Sequence, residues 1–322
     1  MNETRRIIIT GFSGFVARHF LDHLAETDGK KVILGLDIAE PKFALEDYRE
    51  KMEVSFRAVN LMEEEAAREI IADFQPTEIL HLAAFSSVSY SWQHPADCFS
   101  NNTRVFLSVV EAVRALNLKT RILSVGSSEV YGNVREEDLP LREDLPIHPL
   151  SPYAIARQAQ EHLAKMYTDH FGMDIIVTRS FNHIGPRQDT RFVIPSFIAR
   201  ILEVKKSGKT EGTIETGDTT VTRDFLDVRD VVRAYDLLLQ KGKAGETYNI
   251  CSGKETRLDQ VIKEIADLLD VKITGEVNPD YVRPDDSRRV LGDASRIKAD
   301  TGWESALSLR QTLKDMIDYI ET

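Results

Sequence analysis

Tyr153 and Arg157 stand four residues apart in Ser151-Pro152-Tyr153-Ala154-Ile155-Ala156-Arg157. On a helix, positions i and i+4 share one face, so the phenol and the guanidinium point the same way. A cation beside a phenol favours the phenolate, which ordinarily forms only near pH 10. Such a pair can give or take a proton closer to neutrality. The element that must hold it is legible around it. Ser151 reads as an N-cap and Pro152 as the first helical residue, where a missing N–H costs nothing. The predicted helix runs to about Phe171, with Gly172 as its stop. Surface helices carry the same spacing, so the pair gains meaning only from the groups placed near it.

A second constellation opens the chain. Ile7 to Thr10 is a short apolar run, the pattern of a strand covered on both faces. Gly11-Phe12-Ser13-Gly14-Phe15-Val16-Ala17 follows at once, and Phe20, Leu21 and Leu24 recur at helical spacing to about Glu26. Strand, glycine turn and helix in this order form a dinucleotide-binding signature. Gly11 allows the tight turn, Gly14 lets the backbone approach a pyrophosphate at the helix N-terminus, and Ala17 takes the close-packing place. An ordinary strand-to-helix turn would use the same glycines. The next strand, Lys31 to Leu36, ends at Asp37. An acid there suits a ribose 2′-OH and repels a 2′-phosphate, which favours NAD(H) and leaves NADP(H) open. Helix capping is the other reading of Asp37.

Further strands and helices alternate. Strand 54–59 leads to Asn60-Leu61 and an acidic helix from Glu63 to about Asp73. Strand 78–82 ends in Ala83-Ala84, small enough for a flat cofactor to lie close. A striped helix spans Pro95 to about Leu116, and strand 120–125 delivers Gly126-Ser127-Ser128-Glu129-Val130-Tyr131-Gly132. Hydroxyls and a carboxylate at the C-terminal edge of a parallel strand sit where such sheets bind ligands. This alternation predicts an α/β fold, a doubly wound parallel sheet of the Rossmann type. A strand at 246–250 is expected to return to the sheet, and the remainder reads as small helices.

Composition bounds the partners. The chain has 322 residues, 42% hydrophobic and 29% charged, enough for one large domain or two. Net charge of −11 argues against nucleic acid or an anionic membrane as a partner. Local arginines must then hold any anionic ligand. Cys98 and Cys251 have no metal or redox spacing, so reduced thiols in a cytoplasmic protein are expected. No stretch approaches a membrane span.

Gly11-x-x-Gly14-x-x-Ala17, the serine strand end and the Tyr153 helix together resemble the extended short-chain dehydrogenase/reductase family. Its members are sugar-nucleotide epimerases, dehydratases and reductases. The resemblance spans nearly the whole chain. It implies an NAD-binding domain at 1–178 plus about 214–250, and a smaller sugar-nucleotide-binding domain at 179–213 and 251–322. It implies Ser127 as the hydroxyl on the reacting oxygen and Tyr153 as the general acid/base. Cofactor contacts are implied for Gly11, Phe12, Ser13, Gly14, Phe15 and Val16. The same holds for Asp37, Asn60, Leu61, Leu82, Ala83, Ala84, Asn102, Tyr153 and Arg157. Substrate contacts are implied for Ser86, Ser127, Ser128, Glu129, Asn182, Val193, Arg223, Arg283, Arg288 and Arg289. No metal is implied. Arg157 departs from the family, which has a Lys that holds the nicotinamide ribose and lowers the Tyr pKa. Arginine keeps the charge and the donors but does not deprotonate, so a proton relay through it is impaired.

Within the family, the runs 179–186 and 223–230 and the pair Arg288-Arg289 look most like GDP-4-keto-6-deoxymannose reductases, which make GDP-rhamnose. GDP-mannose 4,6-dehydratase is the near relative. Glu129 suits that rival as the base that starts elimination, although some reductases carry an acid there too. The glycine loop and Asp37 do not suit it. Three readings follow: a reductase acting on a GDP-sugar, a dehydratase or epimerase with a bound cofactor, and a weakly active nucleotide-binding protein. In relatives, helices matching 95–116 and 151–171 pair as a four-helix bundle, which implies a homodimer.

Overall fold

The computed structural model describes residues 4–281 and 287–321. Arg283, expected to contact a diphosphate, lies outside the described residues. The layering follows from three isoleucines. Ile7, Ile8 and Ile9 lie in β1 (Arg5–Thr10) and are fully buried. Side chains alternate across a strand, so Ile7 and Ile9 enter one core and Ile8 the other.

The elements that follow are α1 (Phe15–Glu26), β2 (Lys31–Asp37), β3 (Glu53–Ala58), α2 (Glu64–Phe74), β4 (Glu78–His81), α3 (Val88–Gln93), α4 (Pro95–Ala115), β5 (Arg121–Ser127), α5 (Pro152–Phe171) and β6 (Ile175–Ser180). After them come β7 (Asn182–Ile184), α6 (Val193–Lys206), β8 (Glu211–Thr216), β9 (Thr222–Asp227), α7 (Val228–Lys241) and β10 (Thr247–Ile250). The chain closes with β11 (Glu255–Arg257), α8 (Leu258–Leu269), β12 (Lys272–Val277), α9 (Ser295–Thr301) and α10 (Leu309–Glu321).

Seven parallel strands form the large sheet in the order β3-β2-β1-β4-β5-β6-β10. The expected doubly wound sheet is present, and β10 returns to its edge. Apolar residues of α1 and α7 cover one face. Those of α2, α4 and α5 cover the other. The winding direction reverses between β1 and β4, which opens a crevice at the C-terminal ends of the strands. Thr10 pairs with both Leu36 and His81 there, and Ser127 pairs with Ser180.

Beyond β6, two small sheets form. β9 lies between β7 and β11, and β8 pairs in parallel with β12. Apolar residues of α6, α8 and α10 make a separate core around them. Asp224 of β9 is fully buried and accepts four hydrogen bonds, from Ser252 N and Oγ, Gly253 N and Gly292 N. It therefore ties β9 to the loop after β10 and to the segment after residue 287.

Two local readings change. β5 extends to Ser127, because Gly126 lies against the Thr178 carbonyl, where a Cβ would come within 2.3 Å. The C-terminal part is more than small helices, since β11 and β12 lie in it. β12 is Lys272-Ile273-Thr274-Gly275-Glu276-Val277 and mostly exposed, so it lacks the apolar run that marks a strand.

Asp236 fastens α7 to the sheet. Its buried carboxylate accepts from Arg5 of β1 at 2.8 Å and from His23 of α1 at 3.1 Å. Burial alone would raise its pKa, but the bond from His23 and the charge of Arg5 outweigh burial and hold it at about 2. A depressed carboxylate stabilises the fold above its unfolded pKa of about 3.9, and that stability is lost as pH falls through about 2. Asp236→Asn should therefore cost about 2 kcal/mol near pH 7, and the difference from wild type should close between pH 4 and 2. Urea unfolding midpoints across that range check this; a gap independent of pH would refute the assignment.

Candidate active site

The glycine turn is built for close approach. Gly11 has φ +68°, and a Cβ on it would lie 2.9 Å from the Ala83 nitrogen. No side chain caps α1 at Gly14, so the first N–H groups of the helix keep their donors. Asp37 closes the turn from β2: its carboxylate accepts from Ser13 N at 2.9 Å and from Ile38 N at 2.7 Å. Asp37 is thus part of the turn rather than a helix cap. Phe12 points the other way. Its ring is fully buried against Gly35, Phe43 and Phe56, so only its backbone faces the turn. Phe15 stacks on His183 of β7.

Two unforeseen residues shape the facing loop. Thr10 Oγ1 accepts from Leu82 N and Ala83 N, each at 3.1 Å, and lies 3.0 Å from His81 Nδ1. With both lone pairs engaged, the hydroxyl hydrogen goes to Nδ1, which puts the imidazole proton on Nε2. Burial, reinforced by the charge of Arg157, lowers the His81 pKa to about 3, so the ring is neutral. A polar residue closing each apolar strand was the available signal. Asn102 of α4 completes the loop. Its Oδ1 accepts from Phe85 N at 2.8 Å and its Nδ2 donates to Phe85 O at 3.1 Å. Asn102 is fully buried and acts on the 82–85 loop from behind. Asn60 bonds Met62 N, and Leu61 belongs to the core under β2 and α4.

The catalytic candidates meet at β5 and α5. Ser151 caps α5 by accepting from Ala154 N, and Gly172 ends it at φ +66°. Tyr153 and Arg157 share the buried face, as the spacing requires. Arg157 Nε donates to the Tyr153 hydroxyl at 3.3 Å, and the guanidinium lies 5.3 Å from the ring centroid. Arg157 Nη1 donates to Val125 O at 3.0 Å and to Gln160 Oε1 at 2.8 Å. The bond to Val125 ties the helix to β5 two residues before Ser127. Ser127 is buried at the strand end, and its Oγ accepts from Glu129 N at 3.2 Å, leaving the hydroxyl hydrogen to donate elsewhere. Ser128 and Glu129 begin the short 3-10 turn that follows, against which α5 packs. The Glu129 side chain is exposed.

Most of the remaining substrate candidates lie beyond β6, and Ser86 follows β4. Asn182 begins β7 and Val193 begins α6; both are exposed. Ser86 is exposed just before α3. Arg223 on β9 donates to the carbonyls of Thr222 and Ser287. Arg288 is exposed and joins the same strand through its carbonyl, which accepts from Thr222 N. Arg289 is engaged in a two-point ion pair with Glu255. Arg223, Arg288 and Arg289 therefore converge on β9, brought there by the segment after 287.

Asn102→Leu would leave the Phe85 N–H and C=O without their partners at a buried site. We expect a loss of about 3 kcal/mol in stability, from two unsatisfied groups at about 1–3 kcal/mol each. Weaker dinucleotide binding should accompany it, measured by thermal unfolding and by nicotinamide fluorescence titration. An unchanged affinity would show that the 82–85 loop is held by other groups.

Comparison with known proteins identifies the family. A family model described as GDP-mannose 4,6 dehydratase matches residues 8–316. GDP-6-deoxy-D-mannose reductase of Pseudomonas aeruginosa is 34% identical over 319 residues, covering 99% of this chain and 98% of that protein. The solved structure of RMD from Pseudomonas aeruginosa complexed with NADPH superposes with a TM-score of 0.84 at 30% identity, covering 99% of this chain and all of that one. UDP-glucose 4-epimerase of Thermotoga maritima, solved with UDP-glucose, gives 0.86 at 29% identity, with 99% of each chain covered. On this evidence the chain belongs to the GDP-mannose 4,6 dehydratase family, within the short-chain dehydrogenase/reductases that act on sugar nucleotides.

Proposed function

We propose that the protein reduces the C4 ketone of a GDP-4-keto-6-deoxyhexose at the expense of a nicotinamide cofactor, giving GDP-rhamnose. The full-length similarity to GDP-6-deoxy-D-mannose reductase carries this reading. The Tyr153–Arg157 contact at the sheet edge supports the chemistry. The cradle fits a dinucleotide: Gly11 lets backbone approach backbone, α1 offers uncapped N–H groups, and Asp37 accepts from the turn. When bound, the cofactor supplies hydride to C4.

The chain's own residues do the rest. Tyr153 gives its phenolic proton to O4 as the carbonyl becomes an alcohol. The Ser127 hydroxyl, which already accepts from Glu129 N, donates to O4 and stabilises the charge developing there. Arg157 keeps a positive charge beside the phenol and would hold the nicotinamide ribose. Its guanidinium does not deprotonate, so Tyr153 recovers its proton from solvent rather than through Arg157. One cofactor is oxidised and one proton consumed per ketone reduced. An acid at the end of β2 disfavours a 2′-phosphate, which supports NADH as the reductant.

The arginines around β9 supply cation for the diphosphate, which a chain of net charge −11 does not offer generally. We also propose a homodimer formed by α4 and α5, which pack side by side and expose Phe99, Ile155 and Phe171. Two free, buried thiols suit a reducing cytoplasm.

Supplied with the 4-keto-6-deoxy sugar nucleotide, the protein should oxidise NADH stoichiometrically, faster than NADPH at equal concentration. Supplied with GDP-mannose and trace NAD, it should form no 4-keto product. Formation of that product would sink the reductase reading. Tyr153→Phe should lower kcat by roughly 100-fold or more, the scale of a lost general acid. Asp37→Ala should shift the NADH/NADPH ratio of kcat/KM toward NADPH; an unchanged ratio would remove Asp37 from cofactor choice.

A further inference from the structure

Arg157 is a buried cation, 4% exposed, and no carboxylate contacts it among the described residues. Burying a charge is costly unless hydrogen bonds replace its hydration. The protein supplies neutral acceptors: the Tyr153 hydroxyl, the Val125 carbonyl and the Gln160 side-chain oxygen. Gln160 lies three residues further along α5 and is itself 1% exposed. Its amide is oriented from behind, because Nε2 donates to Ser124 Oγ at 2.7 Å, and Ser124 is fully buried in β5. That bond leaves Oε1 toward Arg157.

The guanidinium is planar, and its two edges do different things. Nη1, on one side, is held by Gln160 and Val125. Nε and Nη2 share the other side, and Nε there meets the phenol. Among the described residues no protein group accepts from Nη2. Fixing Nη1 therefore fixes the edge that faces Tyr153 and leaves one donor group for a ligand hydroxyl. A lysine ammonium is a point charge on a flexible stem and has no second edge to hold.

We infer that Gln160, oriented by Ser124, is the positioning residue that lets an arginine serve beside Tyr153. Its side chain bonds Arg157 and Ser124 rather than the phenol. It acts by setting the plane of the Arg157 guanidinium, and the inference rests on the reading above that Arg157 holds the nicotinamide ribose.

The test combines cofactor binding with turnover, using the full chain. Gln160→Leu keeps the bulk and removes the acceptor. We expect the Kd for NADH, read by fluorescence, to rise about tenfold, kcat to fall by about ten- to a hundredfold, and KM for the keto-sugar to stay within about threefold. Gln160→Glu restores an oxygen acceptor and should return the Kd to within about threefold of wild type. In an Arg157→Lys background, Gln160→Leu should change Kd and kcat by less than about twofold, because the fork it positions is gone. Equal effects of Gln160→Leu in both backgrounds, or wild-type Kd and kcat in the single variant, would overturn the inference. Should Gln160→Leu not fold, Ser124→Ala removes only the hydroxyl that orients the amide. It should raise the Kd for NADH by about threefold in the Arg157 protein and leave it unchanged in the Arg157→Lys protein. No difference between those backgrounds also overturns the inference. A wild-type protein that binds NADH but reduces no keto-sugar would count against the proposed function, while the binding comparisons would still decide the role of Gln160.

Discussion

Both faces of the large sheet are covered by helices, and this confines chemistry to one place. Ile7, Ile8 and Ile9 of β1 are buried in two different cores, so the body of the central strand has no surface to offer. Usable groups can stand only where strands end. Thr10, Asp37, His81 and Ser127 are all terminal strand residues on the C-terminal edge. The reversal of winding between β1 and β4 parts the following loops there. The candidate site is therefore a consequence of how the sheet is buried.

That burial makes polar groups costly and gathers most of them into hydrogen-bonded sets, although His81 Nε2 is buried without a partner among the described residues. Thr10 serves two backbone donors and one imidazole. Asn102 satisfies both backbone groups of Phe85. Asp224 takes four donors from segments far apart in the chain. The Thr10 and Asn102 sets fix the 82–85 loop at the strand ends, so the energy that satisfies these buried groups also sets the shape of the site there.

Arg157 is the most demanding case. Its charge is buried, and in the family it resembles a lysine stands at its place. The neutral acceptors around it keep the cation in position beside Tyr153 without a counter-carboxylate. A carboxylate there would pair with the cation, whereas neutral acceptors hold it beside Tyr153 without cancelling its charge.

Much of this was legible in the residues. The run Ile7 to Thr10 with the glycine turn, the capped helix from Pro152 to Phe171, and the i, i+4 relation of Tyr153 and Arg157 depend on local chain geometry, which sequence spacing encodes directly. Asp37 was legible because the distance from the glycine turn is short and regular. Gln160, Ser124, Thr10 and His81 were not. Their roles come from partners 36 to 73 residues away or from a partner whose own place is tertiary. β12 escaped for another reason, since an exposed two-stranded pair needs no apolar pattern. The sequence by itself thus determined most of the elements, the glycine turn and the pairing of Tyr153 with Arg157. Only the tertiary structure decided which buried polar groups hold Arg157 and the 82–85 loop, because a hydrogen bond between distant segments leaves no periodic trace in either of them.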